Sequence, residues 1–187
     1  MGNIFKYIAD DALEAEDASY YKECQVCQAV GVPVYSCQGR VARAGGVLKD
    51  VYVVCAKCLN RGQVKHISEW GTDRVIKAYV NNFYLGANPE FIVEKENELI
   101  LALRKTPELT WIYEDWPLCC GDLTEYSGYP KTVAELEKTK TPMIFWEGAV
   151  KEPFVYFGHE CQPESFEEVS FFQCLHCAKC YWTYAPT

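Results

Sequence analysis

Apolar positions along this chain change period twice. "VPVY" and "DVYVVC" are short, β-branched and aromatic, which predicts strands, and "GRVARAGGVLKD" between them predicts a flexible turn around Gly45-Gly46. The period then becomes helical. In "TDRVIKAYVNNFYLG", Val75, Ile76, Tyr79, Val80 and Phe83 fall on one helix face, and Gly86 suits the C-terminal cap. A second helix is predicted to open at Asn88-Pro89, an N-cap followed by proline in the first turn. Ile92, Leu99, Ile100 and Leu103 share its apolar face, and Pro107 ends it. A third helix starts at Thr132, where Glu135 completes a capping box, and Pro142 closes it. Strand character then returns in "MIFW", "PFVYFG" and "EVSFFQC", with "KCYWTYA" as the partner of the last. Residues 1–23, which run through the acidic "DDALEAED", read as an irregular lead-in.

Strands, then helices, then strands predict an α+β fold by segregation. The expected organisation is a zinc-ribbon-like N-terminal module over 1–66 and an α+β body over 67–187. That body holds the central helices and a C-terminal antiparallel β-hairpin carrying a second cysteine knuckle. With 187 residues, 49% hydrophobic and only 24% charged, the chain can bury a core and is not of disordered composition. Its apolar runs are too short and interrupted to predict a bilayer-spanning helix. "MGNIFKYIADD" has no apolar stretch of signal-peptide length, and Lys6 stands where a myristoylation signal wants Ser or Thr. These features predict a cytoplasmic protein.

Cysteine changes the picture most. There are 11, an odd number, at short regular spacings. In a reducing compartment that pattern reads as metal ligation rather than a disulfide scaffold. Cys24-x-x-Cys27 and Cys55-x-x-Cys58 are separated by residues 28–54, a C-x2-C-x27-C-x2-C arrangement. Zinc wants four soft donors at tetrahedral corners. Two facing knuckles supply them, and 27 residues suffice for a β-excursion that brings the second back to the first. Cys24, Cys27, Cys55 and Cys58 are therefore the candidate ligands of a structural zinc. Cys37, inside the excursion, has no partner spacing and reads as a small packed residue.

The tail "FFQCLHCAKCYWTY" offers a second knuckle, Cys174-x-x-Cys177, with His176 between the two. Its other two ligands must come from elsewhere. Cys119 and Cys120 in "WPLCCGDLTEY" are the first choice; His159 and Cys161 in "FGHECQPE" are the alternative. Cys180 has the right spacing from Cys177, but along a hairpin its side chain would point away. Neighbouring residues of a regular strand face opposite ways, so Cys119 and Cys120 can share a metal only from an irregular turn, which Pro117 and Gly121 permit. A second zinc at Cys119, Cys120, Cys174 and Cys177 is the expectation.

The net charge of −8 is unevenly spread. Between Cys24 and His66, Arg40, Arg43, Lys49, Lys57, Arg61 and Lys65 face Asp50 alone, for +5; the remainder carries −13. Four thiolates around Zn²⁺ would lower the module to about +3. The chain has no G-x-S-x-G, H-E-x-x-H, P-loop or G-x-G-x-x-G motif, and no H-x-E with P-C-x-x-C of a nucleobase deaminase. Four thiolates close a zinc shell, so no catalytic role is expected of it. The 5 Trp, 13 Tyr and 9 Phe lie mostly in strand-like segments and read as core.

"FKY" near the start, the two C-x-x-C pairs, "RKTPEL", "CCGDLTEYSGY" and "FQCLHCAKCYW" together resemble the CbrC-like family, over roughly residues 1–60 and 104–182. These are small bacterial proteins, one of them linked to tolerance of a DNase-type colicin. The family usually has His-Cys-Gly-Asp where this chain has Cys119-Cys120-Gly121-Asp122. Zinc accepts that exchange, so the resemblance favours position 119 as a ligand. It implies a non-catalytic zinc protein acting in toxin tolerance or immunity through a protein partner, expected to be basic. The other expectation is a nucleic-acid-associated factor acting through the basic 24–66 module. No membrane contact and no small-molecule substrate are expected.

Overall fold

The computed structural model describes residues 2–42, 46–66, 72–109, 116–146 and 166–184. Strands β1 (Val34–Ala42) and β2 (Leu48–Cys55) pair antiparallel, from Val34 with Cys55 to Ala42 with Leu48. The stretch expected to be a flexible turn is thus mostly strand, because Gly39–Ala42 and Leu48–Val51 continue the ladder; Arg43 to Gly45 lie outside the described residues. The register shifts between Ser36 and Gly39, which turns Cys37 into the core with no exposed surface. Gly39 pairs on both sides, with Val51 and with His66 of β3 (Lys65–His66). A Cβ at Gly39 would collide with the Val64 side chain, so only glycine admits the third strand there.

Between β2 and β3 lies the short helix α1 (Ala56–Asn60). Helices α2 (Thr72–Phe83) and α3 (Pro89–Leu103) follow and pack on each other. Their signals lie where the sequence places them. Gly86 has φ +88, and the Asn88 side chain accepts a hydrogen bond from the Glu90 amide at 2.8 Å. Val75, Ile76, Val80, Leu99 and Ile100 are buried, whereas Phe83 from the expected inner face is 49% exposed. It stands at the last turn of α2, stacked on Tyr79 and edge-on to Tyr84. Helix α3 stops four residues before Pro107, since the residue ahead of a proline avoids helical backbone.

The C-terminal half begins with a small hairpin, β4 (Leu118–Cys119) and β5 (Asp122–Leu123), and continues through β6 (Glu125–Gly128). The third predicted helix is only α4 (Val133–Leu136) followed by a 3-10 turn. Thr132 caps Glu135 as expected, but the Glu135 carboxylate returns to the amide of Lys131 rather than of Thr132. Strand β7 (Ile144–Phe145) runs parallel to β9 (Cys180–Tyr184), which pairs antiparallel with β8 (Val169–Gln173) in a four-stranded sheet ordered β6-β8-β9-β7. "PFVYFG" lies outside the described residues.

The largest departure from expectation is the lead-in. It is irregular, but Phe5, Tyr7 and Ile8 are buried to within 2%. Their segment docks on β6: the Tyr126 amide donates to the Tyr7 carbonyl and the Ala9 amide to the Tyr126 carbonyl. Phe5 meets Tyr35 of β1 edge-on at 5.3 Å. One buried apolar cluster therefore runs from Phe5 through β1 and β2 to Phe172 and Tyr181. Burying a side chain the size of Phe5 or Phe172 contributes about 1.5–3 kcal/mol. The chain has an α+β fold with a cysteine cluster in its N-terminal and its C-terminal region. Among the described residues no helix is long and apolar enough to cross a membrane.

Candidate metal centres

Two backbone turns of the same design hold half of each cysteine set. In the first, the Cys24 amide donates to the Ala29 carbonyl at 3.0 Å and the Gln28 amide to the Cys24 carbonyl at 2.8 Å. In the second, the Cys174 amide donates to the Lys179 carbonyl at 2.8 Å and the Ala178 amide to the Cys174 carbonyl at 3.0 Å. The residue after each pair is left-handed, Gln28 at φ 61 and Ala178 at φ 56. These matched loops curl both sulfurs of a C-x-x-C to one side.

The complementary halves differ. Cys55 ends β2 and is the N-cap of α1, which carries Cys58. This is a strand-to-helix junction rather than the facing knuckle expected, because Ala56–Asn60 continue directly into a helical turn. Cys119 and Cys120 achieve what a regular strand cannot. Cys120 at φ 54 and Gly121 at φ 80 are the two central residues of the β4–β5 turn, both left-handed, as in a type I′ hairpin. The turn swings the Cys120 side chain to the side of Cys119. Gly121 is packed under Tyr84, where a Cβ would collide with the Tyr84 hydroxyl, and its amide donates to the Tyr79 hydroxyl at 3.1 Å.

The result is two groups of four sulfurs, Cys24, Cys27, Cys55 and Cys58, and Cys119, Cys120, Cys174 and Cys177, each with all its sulfurs within 4.8 Å of one another. Cys27 and Cys55 stand 3.8 Å apart, Cys119 and Cys120 3.7 Å, Cys119 and Cys177 3.6 Å. The sulfurs of a zinc tetrahedron with Zn–S bonds of ~2.3 Å would lie about 3.8 Å apart. A disulfide needs about 2.05 Å, and the cysteines of the described residues are free thiols. The geometry fits two ions, and both groups could hold a metal such as zinc. Cys180 stands outside the second group, its Sγ turned to the Ala178 carbonyl. His159 and Cys161 lie outside the described residues.

The electrostatics of the thiols point the same way. Burial works against ionising Cys24, but amides of Cys55, Cys27 and Val26 outweigh it and bring the thiol down to about 7. The Lys179 amide does the same for Cys177, also to about 7. Burial pushes Cys119 up to about 12 and raises Cys55 and Cys58 as well. One thiolate per group is readily formed, and ionising the raised thiols beside it needs a cation among them.

The sequence did not reveal the polar residues that surround the second group. The Tyr181 hydroxyl donates to Cys119 Sγ at 3.2 Å. Asp122, immediately after the turn, is bonded by the Tyr7 hydroxyl at 2.6 Å and its own Leu123 amide at 2.9 Å, and lies 3.1 Å from His176 Nε2 and 3.4 Å from Lys6 Nζ. Burial opposes the charge of Asp122; the bonds from Tyr7 and His176, with the Lys6 charge, outweigh it and hold the carboxyl below its ordinary range. His176 was visible as the residue between two cysteines. Its partner Asp122 lies 54 positions away, a distance that no motif spacing bridges.

A family model described as "Uncharacterised protein family (UPF0167)" matches residues 3–184. The chain belongs to the UPF0167 family. The match contains both cysteine groups, the Asp122 cluster and the α2–α3 helices, including the 64–103 stretch that the CbrC-like resemblance does not cover. No curated protein and no solved structure matches this UPF0167 chain.

Proposed function

We propose that this UPF0167 protein is a non-catalytic zinc protein in which two four-cysteine centres stiffen a scaffold for binding another protein. The observation that carries this reading is that each group offers four convergent sulfurs, the number a tetrahedral zinc shell takes. A full thiolate shell leaves no position for a substrate or an activated water, so the ions would hold the fold together and not turn over substrate. Cys24, Cys27, Cys55 and Cys58 would ligate one ion, and Cys119, Cys120, Cys174 and Cys177 the other, over a zinc-ribbon-like N-terminal half.

The partner favoured is a basic protein, on the strength of the −13 carried outside residues 24–66. Nuclease toxins are basic because they hold phosphates, and opposite charge speeds encounter. The CbrC-like resemblance points to the same class, and a role in colicin tolerance within the cytoplasm is part of this proposal. The basic module argues less well for nucleic acid, since Arg40 is paired with Asp50 at 2.9 Å.

The test has two arms. Elemental analysis of gently purified protein should give two zinc ions per chain, and Cys27→Ser should lower that number. Surface plasmon resonance against a DNase-type colicin nuclease domain should show association slowing on the order of tenfold between low and physiological salt, with dissociation little changed. Substoichiometric zinc would remove the metal reading. Tight salt-sensitive binding to DNA, lost in Arg40→Ala and Lys49→Ala, would replace the protein partner by nucleic acid.

A further inference from the structure

The segment Ile4–Tyr7 touches the framework of both cysteine groups. At one end the Asn60 side chain donates to the Ile4 carbonyl at 2.9 Å. Asn60 is the last residue of α1, two positions beyond Cys58. At the other end the Tyr7 hydroxyl donates to Asp122 at 2.6 Å and the Lys6 ammonium stands 3.4 Å from the same carboxylate. Asp122 is paired in register with Cys119 and reaches His176, inside the Cys174–Cys177 loop, at 3.1 Å. The segment itself is stiff. Phe5 and Ile8 are buried, and the Asp10 carboxylate accepts the Asn3 and Ile4 amides and the Asn3 side chain. Gly2 packs so closely on Ile8 that a Cβ would strike its carbonyl oxygen.

Resting on the reading of both groups as zinc centres, we propose that the two centres are thermodynamically linked through this N-terminal strap. Asp122 is the junction, a positioning residue that orients the His176 loop and the Cys119–Cys120 turn while held by Tyr7 and Lys6. When the second centre loses its ion, the β4–β5 turn, only two residues long on each side, loses its anchor. Asp122 then shifts and the strap loosens from the end of α1. Loss at the first centre frees α1 and travels the other way. Linkage is reciprocal, so each ion raises the affinity of the other by the same factor. Couplings of this kind commonly amount to roughly a 5- to 150-fold change in affinity.

The experiment is partial zinc release from the full chain to excess chelator, followed by native mass spectrometry. In the linked protein, half-release should show mainly two-zinc and zinc-free chains, with the one-zinc species scarce. The double variant Lys6→Met/Tyr7→Phe cuts both strap contacts to Asp122 and leaves its His176 contact and every cysteine in place. In it the one-zinc species should rise, by roughly 1.5- to 6-fold for couplings of that size. Val80→Ala, which weakens the core of α2 away from the strap, should leave that proportion as in the wild type; a matching rise there would show general destabilisation and overturn the proposal. So would an abundant one-zinc species in the wild type, or no change in the double variant. A wild type that never carries two zinc ions fails earlier, and removes the two-centre reading together with the linkage.

Discussion

Cys37 and Cys120 show how differently one residue type is used within a single chain. Cys120 owes its position to a left-handed backbone at a hairpin tip, whereas Cys37 owes its burial to a register shift in β1. Burial and the nearby Glu108 carboxylate push the Cys37 thiol up to about 12 from an ordinary 9.0. The unfolded chain would release that proton near 9 and the folded chain near 12. The stability carried by the neutral thiol is therefore whole below the lower value and lost as pH rises towards the upper one. Cys37→Ala should flatten this loss by on the order of 2 kcal/mol between pH ~9 and pH ~11, read as the difference in urea midpoints between variant and wild type. Single residues were legible where local spacing fixes them. The C-x-x-C pairs and the exclusion of Cys180 from the second group could be read directly, as could the need for a turn at Cys119-Cys120. Tyr7, Asp122 and Tyr181 were not, because each acts on a partner more than 50 positions away.

Among the elements, the helices were the most legible, since caps and 3.6-residue periodicity are written within roughly a dozen residues. Asn88 is the clearest case, with its side chain on the Glu90 amide and Pro89 in the first turn. Asn88→Ala should cost about 1 kcal/mol and Asn88→Ser much less, measured by urea unfolding of the purified protein. Short strands were harder. Nothing in "LCCGDL" has strand periodicity, yet the left-handed pair Cys120-Gly121 folds it into a hairpin. The lead-in is irregular as expected, but its burial was not legible, for a related reason. Phe5, Tyr7 and Ile8 follow neither period, and their burial comes from backbone bonds to Tyr126 far along the chain.

At the scale of the molecule, the α+β layout followed from the segregation of strand and helix signals, and the two cysteine clusters from counting. What joins them did not follow, because the apolar cluster is assembled from both ends of the chain. Much of the surrounding structure consists of short elements: α1, α4 and the β4–β5 hairpin. Such pieces have little stability of their own, and structural zinc contributes roughly 10–16 kcal/mol in small domains. If the two groups hold zinc, a strong chelator at neutral pH should therefore lower the melting temperature by roughly 10 °C or more, with the Tyr and Trp near-ultraviolet signal lost before the α2–α3 helicity. Calorimetry and circular dichroism check this; an unchanged melt would mean that the sulfurs hold no ion that matters to the fold.

The placement of the cysteines also sets a timetable for synthesis. The first group is complete once Cys58 has left the ribosome, whereas the second waits for Cys177, ten residues before Thr187. At about 5–20 residues per second, the 119 residues between them take on the order of ten seconds to emerge. During the later half of that interval, once Cys120 has emerged, the nascent chain presents Cys119 and Cys120 side by side without their partners. They are exposed then to metals of the wrong kind and to oxidants, as the first four cysteines would not be once their group had filled.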